Sequence, residues 1–279
     1  MSFDHCNYIK KSEIDNYING KIQSAKKENI AIVLVGGPGS GKSTTKTKVL
    51  NILKKSETEF VNLNPDEILE KYFGNNRELY DKCDPIYKRL YEETMAADAN
   101  VIVDRTGSDF NSYFEDVIKK LKSENYDIHL VIVNAEKAKS WDRIKKRAQA
   151  TGRAVNETYM NGVYDNMKTA IPKYVGLDCE FVKTIFLFDN TNNLRLAYKT
   201  SCKGDKKELE CVLCDEISDS KISASLSINR SIISRSRRKT SKNRGADLRR
   251  TRSASLRHTR SASLRRTKSK SLRRTRSAI

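Results

Sequence analysis

The sequence has 279 residues, of which 37% are hydrophobic and 8% aromatic, enough for one α/β core of ordinary size. Its net charge of +19 is concentrated at one end, since residues 217–279 hold 20 Lys or Arg and 2 Asp or Glu. The preceding 216 residues hold 34 Lys or Arg and 33 Asp or Glu. The basicity therefore belongs to residues 217–279 and the body is nearly neutral, and no apolar run approaches the roughly 20 residues that span a bilayer.

Apolar runs and helix-length segments alternate along the body. We predict strands at 30–35, 59–63, 100–103, 128–133 and 181–188, with a possible edge strand at 194–199. We predict helices at 11–27, 42–54, 66–72, 85–97, 110–123, 135–150 and 157–170. This alternation favours a three-layer α/β/α sandwich with a mainly parallel sheet of five to six strands. Ligands of such sheets bind beyond the carboxyl ends of the strands, where we expect the functional residues.

The loop after the first strand matches the pattern G-x-x-x-x-G-K-[ST] between a strand and a helix, the context that this phosphate-binding motif requires. Its glycines allow backbone N–H groups to face phosphates, and the helix adds its positive N-terminal end. Lys42 is expected to reach the β- and γ-phosphates and Ser43 to coordinate Mg²⁺. We therefore predict a P-loop kinase fold that uses Mg²⁺ with ATP, or alternatively GTP, bound by Gly36, Gly37, Pro38, Gly39, Ser40, Gly41, Lys42, Ser43 and Thr44.

Two carboxylates follow predicted strands. Asp66 comes just after the second strand, where it would either accept the proton of an acceptor hydroxyl or cap the helix that begins there. Composition alone favours the cap. Asp104 ends the third strand, where it would hold Mg²⁺, orient a substrate or stabilise a turn with Gly107.

Three arginines recur on one helix and the turn after it. Arg143 and Arg147 are four residues apart and share a helix face, and Arg153 follows in the turn. Converging guanidinium groups suit a phosphoryl group in transfer, whose charge is spread over three oxygens. The alternative is a solvated basic helix face, which isolated arginines at this spacing would favour.

The ordered motifs together resemble the zeta toxin family over residues 30–199. They are Gly-x-Pro-Gly-Ser-Gly-Lys-Ser, Asn-Pro-Asp, Asp-Pro-Ile-Tyr, Asp-Arg-Thr-Gly, Arg-x-x-x-Arg with Thr-Gly-Arg, and Phe-Asp-Asn. Members of this family are P-loop kinases, and the studied bacterial toxins phosphorylate the 3′-hydroxyl of the sugar in UDP-N-acetylglucosamine. The resemblance implies an ATP-dependent phosphotransferase acting on a small hydroxyl-bearing substrate, with a UDP-sugar as the candidate acceptor.

The resemblance also implies roles for single residues. Asp66 becomes the catalytic base, Lys42 the phosphate lysine, and Arg147 and Arg153 the pair that stabilises charge. The substrate side then comprises Asp104, Arg105, Thr106 and Arg143, with Asp104 joining Ser43 as a metal ligand. The chain departs from the family at two positions, since Leu69 stands where many relatives have Arg and Asp104 where Glu is usual. Both departures concern the acceptor more than ATP.

The basic C-terminal segment repeats every eight residues from Leu248 onward and has no Phe, Trp or Tyr after residue 217. Such a composition predicts disorder. The segment would bind nucleic acid or an anionic surface through charge, or serve as a phosphorylation tail, since Ser253, Ser269 and Ser277 each follow an arginine by three residues. An expanded repeat without a role is the third alternative.

The start of the sequence lacks a secretory signal, so we expect an intracellular protein of the cytoplasm or nucleus whose six cysteines are free thiols. Zinc binding by Cys202, Cys211 and Cys214 is the less favoured alternative, because no fourth ligand lies near them in the sequence. We predict an N-terminal helical segment without chemistry (1–29), a kinase domain (30–200), a cysteine-containing linker (201–216) and the tail (217–279).

Two other functions remain open from the sequence. A nucleic-acid end kinase would use the same loop, base and arginines, although the nearly neutral body supplies no basic groove. A non-catalytic ATP-binding protein with a nucleic-acid-binding tail would need the phosphate loop but no base opposite it.

Overall fold

The computed structural model describes residues 9–74, 76–203 and 206–210. The strands are β1 (Ile30–Val35), β2 (Val61–Leu63), β3 (Val101–Asp104), β4 (Asp127–Asn134), β5 (Thr184–Asp189), β6 (Arg195–Lys203) and β7 (Lys206–Glu210). The helices are α1 (Lys11–Ser24), α2 (Lys42–Leu53), α3 (Pro65–Phe73), α4 (Asp84–Ala96), α5 (Phe110–Tyr113), α6 (Lys120–Ser123), α7 (Lys137–Thr151) and α8 (Glu157–Val175). A π-helical stretch, Phe114–Lys119, joins α5 to α6. Each predicted strand and helix is present, within a few residues of its predicted ends.

The strands form one sheet in the order β2-β3-β1-β4-β5-β6-β7. The first five in this order pair in parallel, and β6 and β7 return antiparallel beside β5. The predicted α/β fold with a mainly parallel sheet is therefore confirmed. The sheet has seven strands instead of the predicted five to six. Residues 201–203 and 206–210 of the predicted linker form the end of β6 and all of β7.

Strand β1 lies at the centre of the core. Residues 31–35 have no exposed surface, so both faces of the sheet are covered here, as expected for a continuous apolar run in a parallel sheet. Ile32 and Leu34 pack with Val49 and Leu50 of α2. Because Leu34 lies beside Asp104 and Asn134 beside Asp189, the carboxyl ends of the parallel strands meet at one edge of the sheet. The polar residues that follow these strands are thereby brought together.

The expectation that the cysteines are free thiols is wrong for two of them. Cys179 and Cys202 form a disulfide with their Cα atoms 5.5 Å apart. The antiparallel return of β6 places Cys202 beside the segment that precedes β5, a proximity that a separation of 23 residues does not reveal in the sequence. Cys83 is fully buried in the structure. Cys202 is thus engaged in a disulfide rather than zinc binding, and Cys211 and Cys214 lie outside the described residues.

The predicted tail, residues 217–279, also lies outside the described residues. Among the described helices, none is long and apolar enough to cross a membrane.

A buried histidine should make stability depend on pH. His129 on β4 is only 8% exposed, and burial, with a further contribution from Lys183, lowers its pKa to about 4 against an opposing effect of Asp127. The unfolded chain binds the proton near pH 6.5, so stability is complete above that pH and is lost as pH falls from 6.5 towards 4. The loss should reach about 3 kcal/mol at 1.36 kcal/mol per pKa unit. Urea unfolding at pH 7.5 and 4.5 measures it.

The variant His129→Leu should remove most of this difference between the two pH values. His258→Gln, in the tail, is the matched control and should retain it. A pH dependence that is the same in all three proteins would mean that His129 does not cause it.

Candidate active site

The phosphate-binding loop connects β1 to α2, and two of its glycines have left-handed backbone conformations. Gly39 has φ 70° and Gly41 has φ 98°. A Cβ at Gly39 would lie 2.4 Å from the Ser140 carbonyl oxygen, and one at Gly41 would lie 2.2 Å from the Asn190 side-chain nitrogen. Side chains are therefore excluded both by the backbone conformation and by close packing, and the loop retains the backbone surface that phosphates need.

Neighbouring elements hold this loop in place. The Tyr164 hydroxyl of α8 donates to the Pro38 carbonyl at 3.0 Å, and the Asn190 amide donates to the Ser40 carbonyl at 2.7 Å. Gly36 N–H donates to the Thr106 carbonyl at 3.0 Å. Sequence reasoning missed Tyr164, which lies within a helix and has no motif. Asn190 entered the sequence analysis only as part of the Phe-Asp-Asn motif, with no role assigned to it.

The loop is chemically suited to a nucleotide phosphate. Lys42 begins α2, and its ammonium donates to the Gly36 carbonyl at 2.9 Å. The Ser40 hydroxyl oxygen is buried and has no hydrogen-bond partner within the described part of the chain. Ser43 and Thr44 are exposed on the first turn of α2, where backbone N–H groups lack intrahelical partners. These residues fit the phosphates of ATP.

Four predicted site residues form one electrostatic cluster. Burial lowers the pKa of the Lys42 ammonium, whereas the Asp104 and Asp66 carboxylates raise it and Arg147 lowers it further. Burial raises the pKa of Asp104, against the effect of Lys42 and of a second lysine, Lys46. Charged residues of α3, β3 and α7 thus lie close enough to act on the Lys42 ammonium of α2.

The donor set also bears on Mg²⁺. The described residues contain no group of three His, Cys, Asp or Glu side chains able to hold a metal ion by themselves. Ser43 and Asp104 could hold Mg²⁺ only with phosphate oxygens and water as the other ligands, which is the usual arrangement for this ion in phosphoryl-transfer enzymes.

The cap of α3 is Asn64, not Asp66. The Asn64 side-chain oxygen accepts a hydrogen bond from the Asp66 N–H at 2.9 Å, and Pro65 occupies the first helical turn. The Asp66 carboxylate instead accepts from the Arg153 guanidinium, with Nη2 and Oδ2 2.6 Å apart. This leaves the Asp66 side chain in the charged cluster rather than in a helix cap.

The three arginines have different surroundings. Arg147 lies near Lys42 and Arg153 contacts Asp66. The guanidinium of Arg143 instead donates to the Gly39 carbonyl at 3.3 Å and to the Asn190 carbonyl at 2.9 Å. Arg143 was expected on the substrate side with the other arginines. In the structure it instead connects the phosphate loop to the turn after β5.

The segment after β3 approaches both the loop and an aromatic side chain. The Arg105 guanidinium lies 5.1 Å from the centre of the Tyr87 ring, within the range of a cation–π contact. Tyr87 belongs to the Asp-Pro-Ile-Tyr motif on α4. The Gly107 carbonyl accepts from the Tyr174 hydroxyl at 2.9 Å.

Leu69, the other departure from the family pattern, is fully buried among apolar residues of α3 and α4 and supplies no charge.

Comparison with known proteins identifies a family. The family model described as Zeta toxin matches residues 14–201. A search of curated protein sequences finds no match.

Three solved structures are similar to this chain to different degrees. A chain of the AvrRxo1-ORF1:AvrRxo1-ORF2 complex with ATP is 13% identical, with a TM-score of 0.57 over 75% of this chain and 70% of that one. A chain of the PezAT toxin–antitoxin system of Streptococcus pneumoniae is 16% identical, with a TM-score of 0.48 over 67% of this chain and 80% of that one. A chain of the Pnkp1/Rnl/Hen1 RNA repair complex is 24% identical, with a TM-score of 0.43 over 53% of this chain and 49% of that one.

The loop geometry generates a direct test. Lys42→Met removes the ammonium while keeping a long side chain, so ATP affinity should fall by about a hundredfold or more, with little change in melting temperature. Isothermal titration calorimetry with Mg²⁺-ATP measures the affinity. Lys48→Met, an exposed position on the same helix, is the control and should bind as the parent does. Unchanged affinity in a folded Lys42→Met protein would contradict the assignment of the loop.

Proposed function

We propose that this chain, which belongs to the zeta toxin family, is an ATP-dependent kinase that transfers the γ-phosphoryl group to a hydroxyl of a small acceptor. The observation that carries the proposal is the position of Asp66. With Asn64 as the helix cap, Asp66 is left to contact Arg153 beside the phosphate lysine. A protein that only binds ATP has no need of a carboxylate opposite its phosphate loop.

Each residue of the cluster has a proposed role. The loop and Lys42 bind the β- and γ-phosphates, and Ser43 and Asp104 hold Mg²⁺, which neutralises phosphate charge when bound. Asp66 accepts the proton of the acceptor hydroxyl. At the same time the hydroxyl oxygen bonds to the γ-phosphorus, and the bond between that phosphorus and the ADP oxygen breaks. Arg147 and Arg153 stabilise the charge on the phosphoryl oxygens during transfer, and Arg143 keeps the loop in shape.

UDP-N-acetylglucosamine is the first acceptor to test, because the family resemblance points to it. Asp104, Arg105 and Thr106 are proposed to line the acceptor side, where the guanidinium over Tyr87 could pair with an anionic group. The buried Leu69 removes one cation that many relatives have, so a different hydroxyl compound remains compatible with the site. Incubation of the full chain with labelled ATP and panels of UDP-sugars, nucleosides and oligonucleotides identifies the acceptor.

We propose that the tail has no part in the chemistry and attaches the protein to nucleic acid or another anionic surface. Its +18 charge contrasts with the nearly neutral body. The tail holds none of the residues of the charged cluster.

The role of Asp66 can be separated from that of a cap by paired variants. Asp66→Asn should reduce kcat by about a hundredfold or more, because the proton acceptor and the negative charge paired with Arg153 are lost. The Kd for ATP should stay within a few-fold, because the phosphate loop is unchanged. Asn64→Ala should lower the free energy of unfolding by about 1 kcal/mol, as loss of an N-cap does. Single-turnover kinetics and urea unfolding measure the two effects.

Asp165→Asn, an exposed carboxylate on α8, is the matched control for the charge change. Transfer that survives Asp66→Asn, together with a loss of stability like that of Asn64→Ala, would show that Asp66 serves the fold and not the reaction.

The division between body and tail is also testable. Deleting residues 217–279 should leave kcat on a small acceptor nearly unchanged but abolish binding to DNA or RNA, since the released counterions provide that affinity. Fluorescence anisotropy with a labelled oligonucleotide at about 50 and 200 mM salt should give a steep loss for the full chain. Tight oligonucleotide binding by the truncated protein would contradict this division and favour an end kinase.

A further inference from the structure

Glu67, the residue after the proposed base, connects three elements through one side chain. Its Oε2 accepts a hydrogen bond from the Lys21 ammonium of α1 at 3.0 Å. Its Oε1 contacts the side-chain amide of Asn62, a buried residue of β2. Both carboxylate oxygens are therefore engaged, one by a neighbouring helix and one by the sheet, a single residue away from Asp66.

Helix α1 is firmly attached to the elements on the acceptor side. Ile18 has no exposed surface, and Ile14 and Tyr17 pack against Ile68 and Leu69 of α3. A second ion pair joins α1 to α4, between the side chains of Asp15 and Arg89 at 2.6 Å. The N-terminal segment, for which the sequence suggested no chemistry, is thus part of the support of the helix that carries Asp66.

We propose that Lys21 is a positioning residue for phosphoryl transfer, acting through Glu67 on the carboxylate of Asp66. The inference rests on the proposed function, because it assigns to Lys21 an effect on the reaction. Asn64 fixes the backbone at the start of α3, and the buried Ile68 and Leu69 hold its apolar face. The Glu67 carboxylate, held from two directions, fixes the polar side of the first turn and keeps Asp66 facing Arg153.

Loss of the Lys21–Glu67 pair should lower the rate of phosphoryl transfer more than it lowers the stability of the folded protein. The Lys21 and Glu67 side chains are 33% and 35% exposed, and ion pairs at such positions contribute little to the folded state. Reaction geometry is more sensitive, since a displacement of about 1 Å can lower a rate by about a hundredfold.

The chain provides a closely matched control. Lys26 lies five residues after Lys21 and pairs with Glu59 at 2.9 Å, on a turn that precedes β2 and not on α3. Lys21→Met and Lys26→Met therefore each remove one lysine from a lysine–glutamate pair in the same part of the chain, but only the first affects the neighbour of Asp66.

The test measures turnover of the full chain with Mg²⁺-ATP, using UDP-N-acetylglucosamine as acceptor and, separately, water through slow ATP hydrolysis. Lys21→Met should lower kcat by about tenfold or more with the KM for ATP within twofold, whereas Lys26→Met should not. Lys21→Arg should restore most of the rate. Adding Glu67→Gln to Lys21→Met should cost no more than either change alone. Equal rates in Lys21→Met and Lys26→Met would overturn the proposal.

Hydrogen exchange separates this inference from the proposed function. The amides of residues 66–69 should exchange faster in Lys21→Met but not in Lys26→Met, whatever the acceptor proves to be. If the parent protein neither phosphorylates an acceptor nor hydrolyses ATP, the proposed function fails, and the inferred effect on the reaction fails with it. If turnover is present but exchange and rate match the control, only the role of Lys21 is refuted.

Discussion

The ion pair between Arg153 and Asp66 joins segments 87 residues apart and determines how the charged cluster is assembled. The carboxylate comes from the first turn of α3, and the guanidinium from the turn between α7 and α8. The Asp66 carboxylate lies close enough to Lys42, in the loop that follows the central strand, to act on its charge, as does Arg147. This contact ties the arginine turn to the helix that carries the proposed base.

The phosphate loop depends on its surroundings as much as on its glycines. Tyr164 and Arg143 contact its carbonyls from the α7–α8 side, Asn190 from the end of β5, and Thr106 from the end of β3. Each contact takes up a carbonyl oxygen or an N–H group of the loop's backbone. The loop is thereby held in a conformation suited to phosphate before any nucleotide binds, so ATP need not supply the ordering energy.

The proposed acceptor side is built differently from the phosphate loop. It combines the carboxylates of Asp66 and Asp104 with the Arg105–Tyr87 contact, and it is supported by apolar packing of α1 on α3 and α4. Since the residues that differ from the family pattern, Leu69 and Asp104, are both on this side, variation in acceptor can arise here while the nucleotide loop stays unchanged.

The sequence by itself determined the parallel sheet, the phosphate loop and the candidate residues after each strand. These features depend on local patterns, namely the apolar run of β1, the spacing of glycines before Lys42 and the polar residues that end strands. Only the tertiary structure showed that Asn64 caps α3 and that the Asp66 carboxylate contacts Arg153, a residue far along the chain. It also separated Arg143 from Arg147, revealed the Cys179–Cys202 disulfide and connected Lys21 to Glu67. Such contacts join residues distant in sequence, and the pattern around either partner contains no record of the other.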